Sequence, residues 1–326
     1  MEPTPAQAVS AGAPAWGAFI AYLVLIIGIG FYASRRASAG IGEFFLAGRK
    51  LHRYVVALSA VVSGRSAWLL IGFTGIAYKM GASAVWALAG YITVEFFLFL
   101  LYAPRLRRFS ESYDCITLPD FYAERFEDRR GVLRILLAVI ILLFMVSYVA
   151  AQFAGGGKAF AAGFGLQPTT GVLLTAGIVL LYTLLGGFLA VSLTDVFQAL
   201  LMIVALVVLP ITAIVHMGGW GIVRETLAAL DPSLLDPAAI GLGALIGFLG
   251  IGLGSPGNPH ILVRYMAIRD AKQLRTSAVL GTAWNIVMGL GALYVGLVGR
   301  ALFPAASQLP GGDTEKLYPI LAQQHL

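Results

Sequence analysis

The sequence predicts an all-α membrane protein built from eight spanning helices. Three observations carry that expectation. Hydrophobic residues fill 59% of the 326 positions and charged residues only 12%, for a mean hydropathy of +0.86. An ordinary globular domain carries about 25% charged residues, so too few polar groups remain to cover a water-facing surface. The apolar residues fall into runs of about 20, the length a bilayer requires. The 39 glycines suit helices that approach closely in lipid. The runs are too long and too little alternating for barrel strands, which leaves helices as the spanning form.

In order, the runs cover residues 15–33, 54–78, 82–102, 131–155, 170–191, 194–217, 238–262 and 277–302. The first lacks a preceding basic segment and reads as a span, not a cleavable signal. Sixteen Lys and Arg lie in the loops at 35–53, 105–134 and 264–275. Only Lys79, Lys158, Arg224, Arg300 and Lys316 lie on the opposite side. The positive-inside rule then predicts a multi-pass protein of the cytoplasmic (inner) membrane with its N-terminus outside the cytoplasm. The connection between the fifth and sixth runs belongs on the basic side too, yet holds no Lys or Arg. The two polar stretches, 105–130 and 218–237, read as solvated connectors with amphipathic helices. A net charge of +6 spread over short loops reflects topology and gives no reason to expect nucleic acid as a partner. The single cysteine, Cys115, excludes an internal disulfide and a cysteine metal cluster. No protease, phosphate-loop or dinucleotide fingerprint is present, so no enzymatic chemistry is expected.

Two runs are interrupted. The second carries Ser63-Gly64-Arg65-Ser66 at its centre, and the seventh reads GFLGIGLGSPGNPHILVRYM. Glycine costs a helix about 1 kcal/mol and proline about 3, so the seventh is expected to unwind near Ser255–Asn258. Freed backbone groups survive at membrane depth only against protein or a wet cavity. Two broken spans five positions apart mark an inverted-repeat secondary transporter, with cargo held at the midplane between them. The plainer alternative is a pair of kinked helices packed through small residues.

Arg65 is a cation at membrane depth and needs a partner. Two acids lie at or near that depth, Glu95 in the third run and Asp195 at the start of the sixth. With about 1.5 Å of rise per residue, Arg65 and Glu95 fall within about 4 Å of the same depth, so they are expected to pair. The pair either braces the broken helix or places a cation in the binding site. Asp195 is expected either to couple to the ion or simply to cap the sixth helix. Ser255 is expected either to line the site or to satisfy an unwound turn, and His260 reads as a structural histidine.

The blocks EFFLAGRKL, ALSAVVSGRSAWLLIGFTG, ITLPDFYAERFED, LGGFLAVSLTDVFQALLMI and GNPHILVRYMA occur in this order across nearly the whole chain. They resemble the sodium/solute symporter family. The resemblance implies a leucine-transporter-like bundle: a leading helix and loop over 15–53, a first five-helix repeat over 54–217, and two helices of a second repeat over 238–302. Residues 303–326 would begin an extracytoplasmic loop, and the whole would be the N-terminal portion of a single transporter domain. It also implies sodium-coupled symport of a small organic solute, an amino acid such as proline, by alternating access. A solute-sensing module and an inactive fragment are the alternatives. Sodium would be held by the Val62 and Arg65 carbonyls, together with hydroxyls of a helix beyond the eight runs. Ser66, Tyr148, Ile251, Gly252, Ser255 and Pro259 match positions that bind solute, and Asp195 matches a family aspartate. Members that carry proline have Asp-Met where this chain has Gly64-Arg65, and aromatics where it has Ile251 and Ser255.

Overall fold

The structure, a computed structural model, describes residues 12–325. Helix α1 (Ala13–Ala37) is the first span, with a proline in its first turn and Arg35 and Arg36 in its last. Both placements suit a helix: proline has no N–H to lose there, and cations favour the negative end of the helix dipole. The chain passes through the short α2 (Ile41–Leu46) into α3 (Arg53–Ala67). There Ser66 adopts φ 49°, ψ −159°, a backbone no helix contains. A wide turn over Trp68–Phe73 and α4 (Thr74–Met80) finish the second span. The chain returns through α5 (Val85–Phe97) and α6 (Ala103–Ser112) to α7 (Leu118–Arg125), whose start is closed by a reciprocal Thr117–Asp120 capping box. These last two are the amphipathic helices expected on the basic face.

The fourth span is α8 (Val132–Phe164). Next come α9 (Pro168–Ile203) and α10 (Leu209–His216), which hold the fifth and sixth spans. The expected boundary between those spans, at 191–194, moves to Gly187, where φ 55°, ψ −151° bends the chain back on itself. A Cβ at Gly187 would lie 2.6 Å from the Phe44 carbonyl oxygen, so only glycine fits this elbow. The connection is one residue long. It has no loop in which to place a Lys or Arg, and this accounts for the missing charge.

Helix α11 (Trp220–Leu230) lies on the far face. The seventh span divides into α12 (Leu242–Gly250), tight turns over Ile251–Gly257, an extended Asn258, and α13 (Pro259–Met266). Helix α14 (Leu274–Leu302) is the eighth span and carries the longest buried face. Its Gly291 packs so close to α9's continuation that a Cβ there would meet the Leu206 carbonyl at 2.0 Å. Within the segment after residue 302, expected to begin an extracytoplasmic loop, α15 (Leu317–His325) forms and buries Leu317, Ile320 and Leu321. Among the described residues, five continuous helical stretches are long and apolar enough to cross a membrane. Residues 53–112 and 168–216 each contain two of the eight runs, and the seventh run is split by its break.

On the basic face the segment before α3 is joined to the end of α13. Leu51 N–H donates to Ala267 O at 3.1 Å, and Arg269 N–H donates to Leu51 O at 3.0 Å. Beside this bridge, the Arg49 guanidinium donates to the carbonyls of Ser110, Cys115 and Met266 at 2.8, 2.8 and 3.2 Å. Arg107 Nε donates to Ile268 O at 2.7 Å.

Candidate functional site

In an unbroken helix the Ala67 N–H would donate to the Ser63 carbonyl. The Ser66 turn separates those two groups, and α8 serves each of them. The Tyr148 hydroxyl donates to Ser63 O at 3.3 Å, and Gln152 Oε1 accepts from Ala67 N–H at 2.9 Å. Tyr148 and Gln152 are four residues apart, one above the other on the same helix face. The next carbonyl, Gly64 O, accepts from the Tyr91 hydroxyl at 2.9 Å, and Arg65 O accepts from Trp68 N–H. Of the two carbonyls expected to hold sodium, that of Arg65 therefore already carries one hydrogen bond.

A cavity of ≈ 640 Å³ opens at this break. Ser63, Ser66, Tyr148, Gln152, Asp195 and His260 line it, with Leu70 and Leu201 among its apolar walls. The rings of Tyr148 and His260 stack with centroids 4.9 Å apart. Both legs flanking the Gly187 elbow contribute, through Val179 and Tyr182 on one and Asp195 and Gln198 on the other.

Asp195 does not cap a helix. It lies inside the sixth span, past the elbow, where its Oδ2 accepts from Ser59 Oγ at 2.6 Å, Ser63 Oγ at 3.1 Å and Arg264 Nη2 at 2.8 Å. Arg264 also donates from Nε to Ser59 Oγ at 2.7 Å and from Nη1 to the His260 carbonyl. The cluster ties both broken helices to the sixth span. Sequence reasoning missed its cation: Arg264 was counted with the loop charges, but it sits in α13 and is 4% exposed. The spacing of Ser59 and Ser63, one turn apart on an apolar helix, was a signal for the receiving face.

Arg65 and Glu95 are brought together, but through an intermediary. Arg65 Nη2 lies 3.5 Å from Glu95 Oε2, and the side chains are 1% and 2% exposed. Asn285 of α14 sits between them, accepting from Arg65 Nε at 2.7 Å and donating from Nδ2 to Glu95. The guanidinium also lies 3.7 Å from the Tyr91 ring centroid, a cation–π contact that offsets part of its desolvation. No side chain of this trio lines the cavity.

The second break supplies less to the cavity than its sequence suggested. Of its residues only His260 lines it. Gly252 is packed against α5, where a Cβ would lie 2.7 Å from Gly90 O and 2.8 Å from Val94 Cβ. Ser255 is buried beside it, Ile251 faces outward at 37% exposure, and Pro259 borders a separate cavity near Phe45 and Met266. Of the expected solute-binding positions, Ser66 and Tyr148 meet at the cavity and Ile251, Gly252, Ser255 and Pro259 do not.

The sodium:solute symporter family model matches residues 44–324. Sodium/proline symporters of Staphylococcus aureus strains JH9, JH1 and N315 are 39% identical over 304 residues. The match covers 93% of this chain and 59% of theirs. The chain is also similar to a solved substrate-bound, outward-open Na+-coupled sialic acid symporter. The TM-score is 0.83 at 19% identity, covering 95% of this chain and 66% of that one. At that identity the likeness establishes the leucine-transporter-like fold.

Proposed function

The chain belongs to the sodium:solute symporter family, and from this premise we propose that it takes part in sodium-coupled symport of a small amino acid such as proline. Its relatives are transporters, not enzymes, and the chain spans 59% of their length. Transport by alternating access, with no covalent step, is the activity this reading assigns to it. The N-terminus lies outside the cytoplasm of an inner membrane, because the arginine-rich loops gather on one face.

The observation that carries the reading is the ≈ 640 Å³ cavity at the Ser66 break, where backbone groups are exchanged between a helix and side chains of its neighbour. Sodium is a hard cation that takes oxygen ligands. On this reading it sits at the Val62 and Arg65 carbonyls, and the solute sits against Ser66 and Tyr148. The Arg65 charge is balanced by Glu95, so it does not drive a cation away from those carbonyls.

The test is uptake of radiolabelled L-proline and other small amino acids into proteoliposomes. Accumulation that collapses when the sodium gradient is dissipated supports the reading. Equal uptake with and without the gradient, or none by any amino acid, sinks it.

A further inference from the structure

We propose that Gln152 selects the solute: its amide nitrogen presents two N–H donors to a carboxylate in the cavity. This rests on the transport reading above. The Gln152 amide has no choice of orientation. A primary amide has one accepting oxygen and one donating nitrogen. The Ala67 N–H, freed by the Ser66 turn, can only donate. It therefore takes Gln152 Oε1, at 2.9 Å, and turns Nε2 the other way. Gln152 lines the ≈ 640 Å³ cavity, and among the described residues no atom accepts from its Nε2.

Three other polar side chains around the cavity are engaged elsewhere, whereas His260 Nδ1 makes no hydrogen bond among the described residues. Ser63 Oγ donates to Asp195, the Tyr148 hydroxyl donates to Ser63 O, and Gln198 donates to the Tyr22 hydroxyl. Gln152 is thus a fixed donor pair on a wall whose one carboxylate, Asp195, is already held by Arg264. A carboxylate oxygen is an acceptor only, and its charge strengthens the hydrogen bond that an Nε2 N–H gives it. A solute whose carboxylate is replaced by an amide presents a weaker acceptor and a second donor set.

Gln152→Glu separates this role from that of bracing the break. A glutamate still accepts the Ala67 N–H, so α3 keeps its cap, but it removes both donors and adds a negative charge.

The experiment uses the full chain in nanodiscs with sodium present. Binding is measured for each L-amino acid and its amide, beginning with L-proline and L-prolinamide. The wild type is expected to bind at least one acid, and its amide about tenfold or more weakly. In Gln152→Glu the acid loses about tenfold or more, the amide does not, and the melting temperature is preserved. The proposal is overturned if no acid binds, if the acid and its amide bind the wild type equally, or if Gln152→Glu binds the acid as the wild type does. Binding with these preferences but without sodium-driven uptake would sink the transport reading and leave Gln152 as the carboxylate contact.

Discussion

Arg65 and Arg264 both lie buried beside the broken helices, and they are accommodated differently. Arg264 has every nitrogen served: Nε by Ser59, Nη1 by the His260 carbonyl and Nη2 by Asp195. Arg65 makes one hydrogen bond, from Nε to Asn285, and its Nη1 and Nη2 make none with protein. Among the described residues it relies instead on the Tyr91 ring and a charge 3.5 Å away. The first cluster borders the cavity and joins three spans that surround it; the second stands behind it, between α3, α5 and α14. The difference teaches that the buried charge pair next to the cavity is held by a full set of directed bonds. A pair that only braces packing can be held by proximity and charge.

The largest effect should come from the fully bonded cluster. Asp195→Ala leaves Arg264 buried without its counter-charge and frees two serine hydroxyls. Removing one partner of such a pair costs about 3–5 kcal/mol, read as a drop in melting temperature in detergent. Re-pairing it with an apolar Arg264 replacement should restore folding but not uptake, since Asp195 lines the cavity. Stability unchanged in Asp195→Ala would erase the contrast between the clusters.

A smaller and reversible effect is expected at the other pair. Arg65→Met alone strands Glu95 and should cost about 3 kcal/mol. The double variant Arg65→Met with Glu95→Leu should return to within about 1 kcal/mol of the wild type, because apolar residues replace buried ion pairs at little cost. A double variant that folds but has lost sodium dependence would move Arg65 from bracing to coupling.

Asn285→Ala should have the smallest effect, about 1–2 kcal/mol, the usual cost of leaving hydrogen-bonding groups unpaired in a core. The measurement is chemical denaturation of the purified protein. A loss as large as that of Arg65→Met would make Asn285, and not the direct charge contact, the main support of the pair.

The pairing of Arg65 with Glu95 was legible because charges are few at membrane depth and depth follows from residue count. The two breaks were legible from Ser63-Gly64-Arg65-Ser66 and from the glycine and proline cluster. What stayed hidden was neutral or misfiled. Asn285 and Gln152 change no charge count and barely lower the hydropathy of their helices. Arg264 stands near loop arginines in sequence, and nothing local says that α13 turns it inward. The Gly187 elbow was hidden because the run on either side is continuously apolar. The richer of the two breaks in glycine and proline, 251–259, proved to be the poorer contributor to the cavity, because Gly252 there allows close packing on α5.

The stitch at Leu51 reaches further than its two hydrogen bonds suggest. It fastens the entry of one interrupted helix to the exit of the other, and Arg49 and Arg107 nail the same corner to the surface helices. The two inner half-helices are therefore one mechanical part. Any movement that parts α3 from α13 has to carry them as a block or unpick the seam, whereas among the described residues no such pair of backbone hydrogen bonds joins α4 to α12.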